Sequence, residues 1–322
     1  MRILFFGSGH FAIPTLKSIV QDGHDVVTVV TQPDKVRGRG RTPSPTPAKA
    51  AAVEADVPVV SPANVNAPEV VAQLKSLKAD LAYVAAFGQK IGAELLAAFP
   101  IGIINLHGSL LPHLRGAAPI QWAVINGLTE TGVTIFRLVE KMDAGPIITQ
   151  RRTVIGSDET AGELHDRLAR IGCDAVRDAL QQLAADPSMT GTPQDHAQAS
   201  YAPKLKKSDG YIRFEQPAAS VARRICGLWP WPGATCRFLS ADGRRDELVT
   251  LARAVPYEGR QTPSQSPDDL GRITEMMSIQ ALDGALAPLE IKPAGGKCMS
   301  WQDYVNGRRV KAADRFVSLQ SA

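Results

Sequence analysis

Between residues 2 and 107 the hydrophobic pattern of the chain switches repeatedly from short apolar runs to helical spacing and back. The runs RILFF (2–6), DVVTVVT (25–31), VPVV (57–60), DLAYVAA (80–86) and IGIINLH (101–107) read as buried strands. Between them, segments 12–23, 48–55, 68–78 and 92–99 carry helical spacing, and Gly23 closes the first of them. Strict alternation of this kind leaves one economical solution, a parallel sheet with helices on both faces. Two further strands, 132–139 and 146–155, are joined by a hairpin-like loop, and a long helix is expected over 159–185. Segment 186–207 has little apolar content and three prolines, which is linker composition. After a short helix at 218–228 come WPWPG (229–233) and the β-type runs 234–240, 247–255, 271–282 and 285–292. Short strands punctuated by Gly, Pro and Asp suggest a small barrel. The stretch 256–270 reads as a long polar loop of that barrel.

With 322 residues, 44% of them apolar and 21% charged, the chain has material for two globular domains. No apolar stretch reaches the ~18–20 residues of a membrane helix. No basic segment followed by an apolar leader precedes the first strand, so a cytoplasmic protein is expected. The four cysteines, at 173, 226, 236 and 298, form no C-x-x-C pair and are expected to be reduced, buried thiols with no metal site. Residues 1–200 hold 18 basic and 19 acidic side chains, whereas residues 201–322 hold 18 basic and 13 acidic. A basic module joined to a near-neutral one points towards a polyanionic partner.

Gly7, Gly9 and Ala12 complete a G-x-G-x-x-A turn after the first strand. A dinucleotide site also needs an acidic residue at the end of the second strand, about 20 residues on, for the ribose hydroxyls. That strand ends in Thr31-Gln32-Pro33, and Asp34 lies beyond the proline. The glycines are therefore read as a packing turn, with no NAD or FAD expected.

The segment NLHGSLLPHLRG (105–116) carries more chemistry. Asn105 and His107 are two residues apart near the end of a strand, so their side chains share a face. In open α/β sheets that end of a strand is where ligands bind. Asp143 follows on the loop between the next two strands. An amide can donate to a developing oxyanion, an imidazole can carry or stabilise a proton, and a carboxylate can orient the imidazole. Such a set needs no Ser or Cys nucleophile and suits direct acyl transfer to an amine. His24, His165 and His196 read as structural or surface residues, and His10 and His113 as bystanders in site loops.

These motifs resemble those of the methionyl-tRNA formyltransferases over nearly the whole chain. The resemblance rests on MRILFFGSGHFA, VVTQPDKVRGRGR, YVAAFGQKI, INLHGSLLPHLRGAAPIQW and ETGVTIFRLVEKMDAGPI, then on YAPKL, WPWPG and IKPAGGKCMSWQDYVNG. It implies a doubly wound, Rossmann-like α/β catalytic domain (1–189), a linker (190–207) and a C-terminal, OB-like β-barrel that binds tRNA (208–322). It implies 10-formyltetrahydrofolate as donor and the α-amino group of methionyl initiator tRNA as acceptor, in a monomer. Asn105, His107 and Asp143 fall on the family's catalytic positions. Phe87, Gly88 and Gln89, with Val139, Glu140 and Met142, would line the pterin pocket, and Ser109, Leu110, Leu111 and Pro112 would shape its floor. Arg37, Arg39 and Arg41 would meet the acceptor end of the tRNA, and Lys204, Lys206 and Lys207 its phosphates.

Two positions depart from the family pattern. The usual G-T-P-x-F-A turn is here G-S-G-H-F-A, and the usual aromatic-basic pair after S-L-L-P is His113-Leu114. Two rival readings share parts of the motif set. A sugar-nucleotide formyltransferase would use the same three residues, but the GRGR loop and the barrel weigh against it. A non-catalytic tRNA binder would leave Asn105, His107 and Asp143 without a role.

Overall fold

The structure is a computed structural model that describes residues 1–36, 43–259 and 262–319. In chain order the main elements are β1 (Arg2–Gly7), α1 (Ile13–Gln21), β2 (Asp25–Val30), α2 (Pro47–Glu54), β3 (Val59–Val60), α3 (Pro68–Ser76), β4 (Leu81–Ala85), α4 (Ala93–Leu96) and β5 (Ile103–His107). They continue as α5 (Pro119–Ile125), β6 (Glu130–Arg137), β7 (Ile147–Val154), α6 (Ala161–Ala185), α7 (Ala218–Leu228), β8 (Ala234–Leu239), β9 (Asp246–Pro256), β10 (Ile279–Gln280), β11 (Ala285–Pro293), β12 (Met299–Ser300), α8 (Trp301–Arg308) and β13 (Arg315–Ser318). The chain divides into two compact units. One comprises residues 1–116, 131–153 and 165–201, the other 117–130, 154–164 and 202–322.

The first unit is built on a seven-stranded sheet in the order β7-β6-β5-β4-β1-β2-β3. Strands β1 to β5 are parallel, as the alternation predicts, with Ile3 level with both Val26 and Leu81, and Ala82 level with Ile103. Ile3, Leu4, Phe5 and Phe6 are completely buried, as a strand covered on both faces requires. Strand β6 reverses direction against β5, pairing Asn105 with Phe136 and His107 with Thr134.

The glycine turn after β1 has a packing cause. A Cβ on Gly7 would stand 2.6 Å from the Phe5 ring and 2.9 Å from Ala12 Cβ. The Ser8 and Gly9 amides both donate to the Ala86 carbonyl at 3.2 Å, so they do not present an anion cradle. At the end of β2 the Thr31 hydroxyl bonds that of Thr46 at 2.6 Å, the Gln32 amide donates to Ser8 Oγ at 3.0 Å, and Asp34 pairs with Lys49 at 2.8 Å. The groups that a ribose would have to engage are already taken up inside the unit.

The second unit contains an antiparallel sheet in the order β10-β11-β9-β8-β13, with β12 paired to β11. Arg272 bridges to Arg315 and Ile273 to Ile279, so one short segment links the two edge strands and brings the sheet close to a barrel. Its core is aromatic: Phe238 lies 5.5 Å from Phe316 and 5.7 Å from Tyr304, and Trp301 stacks on Tyr304. Two helices were not expected from the sequence, α5 and α8, and both belong to this core. Helix α5 packs closely on α7, since a Cβ on Gly227 would stand 2.5 Å from the Ile125 side chain.

Two expectations require correction. Cys226 and Cys236 are buried, but Cys173 is half-buried and Cys298 is exposed. Part of the segment read as a linker is fixed to the first unit: Thr192 exchanges two 2.8 Å backbone hydrogen bonds with Ile147, and Gln194 is buried. No helix among the described residues is long and apolar enough to cross a membrane.

Tyr83 on β4 is completely buried beside Phe5, and its hydroxyl has no partner within hydrogen-bond distance among the described residues. An unpaired buried hydroxyl costs about 1–3 kcal/mol of desolvation. Tyr83→Phe is therefore expected to raise the unfolding free energy by about 1 kcal/mol, read as a higher denaturant midpoint at unchanged slope. A lower midpoint would mean that the hydroxyl does useful bonding.

Candidate active site

His107 ends β5 and is 6% exposed. Its Nε2 lies 2.9 Å from the Leu114 carbonyl oxygen. A carbonyl can only accept, so Nε2 carries the hydrogen and Nδ1 is the nitrogen that gains or loses a proton. Nδ1 stands 3.9 Å from Asp143 Oδ2, beyond hydrogen-bond length but within ion-pair range once the ring is protonated. Asp143 is also nearly buried, and its Oδ2 accepts from the Gly116 amide at 2.8 Å. Asn105, two residues before His107, is half-buried, and its side-chain amide has no hydrogen bond to another described residue. His107 and Asp143 thus come together, and Asn105 lies on the same face of β5 as His107.

The loop that carries Asp143 does not leave the sheet beside His107. The Leu138 amide donates to the Ile103 carbonyl at 2.8 Å, at the far end of β5, and the chain then curls back. Asp143 adopts a left-handed φ of +49°. Gly145 allows the return, because a Cβ there would stand 1.8 Å from the Arg137 carbonyl oxygen.

Residues 109–116 form a rigid wall beside His107. The fully buried Thr134 hydroxyl donates to Ser109 O at 2.7 Å and accepts from the Leu111 amide at 3.0 Å and from Gln150 Nε2 at 2.9 Å. Gln150 Nε2 also reaches Leu111 O at 2.9 Å, and Ser109 Oγ donates to His113 O at 2.6 Å. Ser109 and Leu111 are buried, while Leu110 and Pro112 are half-buried.

The remaining residues expected at the pterin pocket differ in what they offer. Val139, Glu140 and Met142 are exposed, Met142 at 70%. The Phe87 ring is buried, packed edge-on 5.1 Å from Phe6. Gly88 has φ +85°, a backbone form that favours glycine. Both ends of the Gln89 amide are engaged, by the Val65 amide at 2.8 Å and the Pro62 carbonyl at 3.1 Å. Gln89 therefore shapes the loop from within. Lys204, Lys206 and Lys207 are exposed, with Leu205 buried between them. Arg37, Arg39 and Arg41 lie outside the described residues, although their flanks pair, Lys35 with Ser44 and Val36 with Pro43.

Residues 1–180 match the family model described as Formyl transferase, and residues 204–309 match Formyl transferase, C-terminal domain. The chain is 39% identical over 316 residues to a methionyl-tRNA formyltransferase of Geobacter metallireducens, covering 98% of both chains. It is 40% identical over 322 residues to the one of Heliobacterium modesticaldum, covering 98% of this chain and 100% of that one. The chain belongs to the methionyl-tRNA formyltransferase family. Members of that family are enzymes, and this chain is a formyltransferase. The fold is also that of WlaRD, described as a sugar 3N-formyl transferase, with a TM-score of 0.62 at 17% identity over 89% of this chain and 96% of that one.

The sequence reading named the three central residues but not the groups that hold them: the Leu114 carbonyl, the Gly116 amide, Thr134 and Gln150. Of these, Thr134 is the most exposed to test. Thr134→Val keeps shape and leaves the Leu111 amide and Ser109 carbonyl without their partner. It is expected to cost about 1–3 kcal/mol in chemical unfolding and to lower formyl transfer. Unchanged stability would mean that water replaces the hydroxyl.

Proposed function

We propose that the protein transfers the formyl group of 10-formyltetrahydrofolate to the α-amino group of methionyl initiator tRNA, for the start of protein synthesis. The observation that carries the reading is the approach of Asp143 to His107 Nδ1, with Nε2 held by the Leu114 carbonyl and Asn105 on the same strand face. The amine of an aminoacyl ester is largely neutral at working pH and attacks the formyl carbon. The amine adds to give a tetrahedral oxyanion, and the C–N bond to the folate nitrogen breaks as that adduct collapses, the nitrogen taking up the proton that the amine gave up. Asn105 donates a hydrogen bond to the oxygen on which charge develops, and protonated His107 supports the same charge from Nδ1. Asp143 orients the imidazole and helps to move the proton from the amine towards the leaving nitrogen, directly or through one water. Exposed apolar side chains next to a polar site suit the flat pterin ring, and Val139 and Met142 provide them beside Asp143.

The acceptor is argued from charge. The second unit holds the exposed lysines 204, 206 and 207, and the residues from 201 onward carry the excess of basic over acidic side chains. We assign Arg37, Arg39 and Arg41 to the acceptor end of the tRNA on the family motif alone.

The test compares three acceptors: methionyl initiator tRNA, the uncharged tRNA and an amino-sugar nucleotide. Transfer to the charged tRNA only is expected, whereas transfer to the sugar only would overturn the acceptor. His107→Ala is expected to lower kcat/KM at least a thousandfold with tRNA affinity nearly unchanged. Activity within about tenfold of the parent would remove His107 from the chemistry. Arg39→Ala is expected to weaken transfer to tRNA and to flatten the salt dependence of binding by about one unit of slope. An unchanged slope would take the loop out of the tRNA site.

A further inference from the structure

Arg115 is the largest completely buried side chain among the described residues, at 1% exposure. Burying a charge is costly unless its hydrogen-bonding needs are met. Here the guanidinium meets neutral groups. Its Nε and Nη2 both donate to Gln194 Oε1, at 3.2 and 2.6 Å, and Nη2 also reaches His196 Nδ1 at 2.9 Å. A guanidinium only donates, so it dictates which end of the Gln194 amide faces it. The oxygen turns to Arg115, and Nε2 is forced to the opposite side. There Nε2 donates to the Asp143 carbonyl at 2.9 Å and to the Gly145 carbonyl at 2.7 Å.

The consequence falls on the candidate catalytic pair. Asp143 sits in a left-handed conformation that a residue with a side chain adopts at a cost of ~1 kcal/mol or more. It is held from behind by Gln194 and in front by the Gly116 amide, which directly follows Arg115. Leu114, directly before Arg115, supplies the carbonyl that fixes His107. Residues 114–116 are themselves anchored, because Leu114 N donates to Ser200 Oγ at 2.9 Å and Arg115 N to Ser200 O at 2.8 Å.

We infer that Arg115 and Gln194 are positioning residues, a clamp that sets the Asp143 carboxylate opposite His107 Nδ1. Neither residue touches the reacting atoms. The clamp acts through backbone carbonyls, so its strength depends on the donor character of Gln194 Nε2 and not on bulk. The inference rests on the proposed roles of His107 and Asp143 in formyl transfer.

Gln194→Glu in the full chain is the test. Glutamate keeps an oxygen for Arg115 but presents oxygen to the Asp143 and Gly145 carbonyls in place of two N–H donors. Two quantities are read on the folded variant: the split of kcat from KM, and the ring nitrogen shifts of His107 by NMR with labelled histidine. The expected result is a kcat at least about tenfold lower, KM for donor and acceptor within about twofold, and displaced His107 ring signals. A kcat within twofold of the parent, with His107 signals in their original place, would overturn the clamp. Should Gln194→Glu fail to fold, Gln194→Met, neutral and of similar volume, takes the same two readouts. If the parent chain transfers no formyl group at all, the proposed function fails. The His107 signals then decide the clamp alone: displaced signals support it and unmoved ones overturn it.

Discussion

Strand β6 runs antiparallel to β5, so His107 faces Thr134 at one end of the pair and Ile104 faces Arg137 at the other. The geometry of the candidate site follows from this reversal. It places the Thr134 hydroxyl against the loop that follows β5, where it fastens Ser109 and Leu111. It also obliges the chain after Arg137 to start from the wrong end of β5 and travel back. The return requires Gly145 against the Arg137 carbonyl and a left-handed Asp143. In an all-parallel sheet β5 would meet a neighbour running the same way, and this short return loop would not arise.

The same economy explains the glycine turn after β1. The sequence Gly7-Ser8-Gly9 has the outline of a phosphate cradle, but its amides close onto Ala86 and its first glycine is demanded by Phe5 and Ala12. A phosphate cradle needs amides that point into solvent with no protein partner. The turn joins β1 to β4 and leaves the ligand chemistry to the end of β5.

Hydrophobic period made most of the first unit legible, because strands buried on both faces and helices with one apolar stripe leave distinct patterns. Asn105 and His107 were legible for the same reason, since a spacing of two on a strand is a statement about faces. Helix α5 was not. Its seven residues, PIQWAVI, make barely two turns, too short for a 3.6 period to stand out from an apolar strand-like run. Helix α8 is similarly short, and its start is marked only by Ser300, which accepts from the Asp303 amide at 3.0 Å. Gln194 carried no local signal. It lies in a polar, proline-containing stretch, and its meaning comes from Arg115, 79 residues earlier.

The polar groups around β5 fall into two kinds, and the division indicates where a substrate belongs. Thr134, Gln89 and Gln194 have their polar groups engaged by other groups of the protein, backbone and side chain, and so shape the loops around the site. The Asn105 amide and His107 Nδ1 are the groups that remain unfilled, and Val139 and Met142 are the apolar side chains left uncovered beside Asp143. The Asn105 amide and His107 Nδ1, on one face of β5 next to uncovered apolar surface, suit a partner that supplies both an acceptor oxygen and a flat apolar body. A formyl group on a pterin-bearing donor has both, whereas a bare phosphate or a sugar hydroxyl has acceptor oxygens but no flat apolar body.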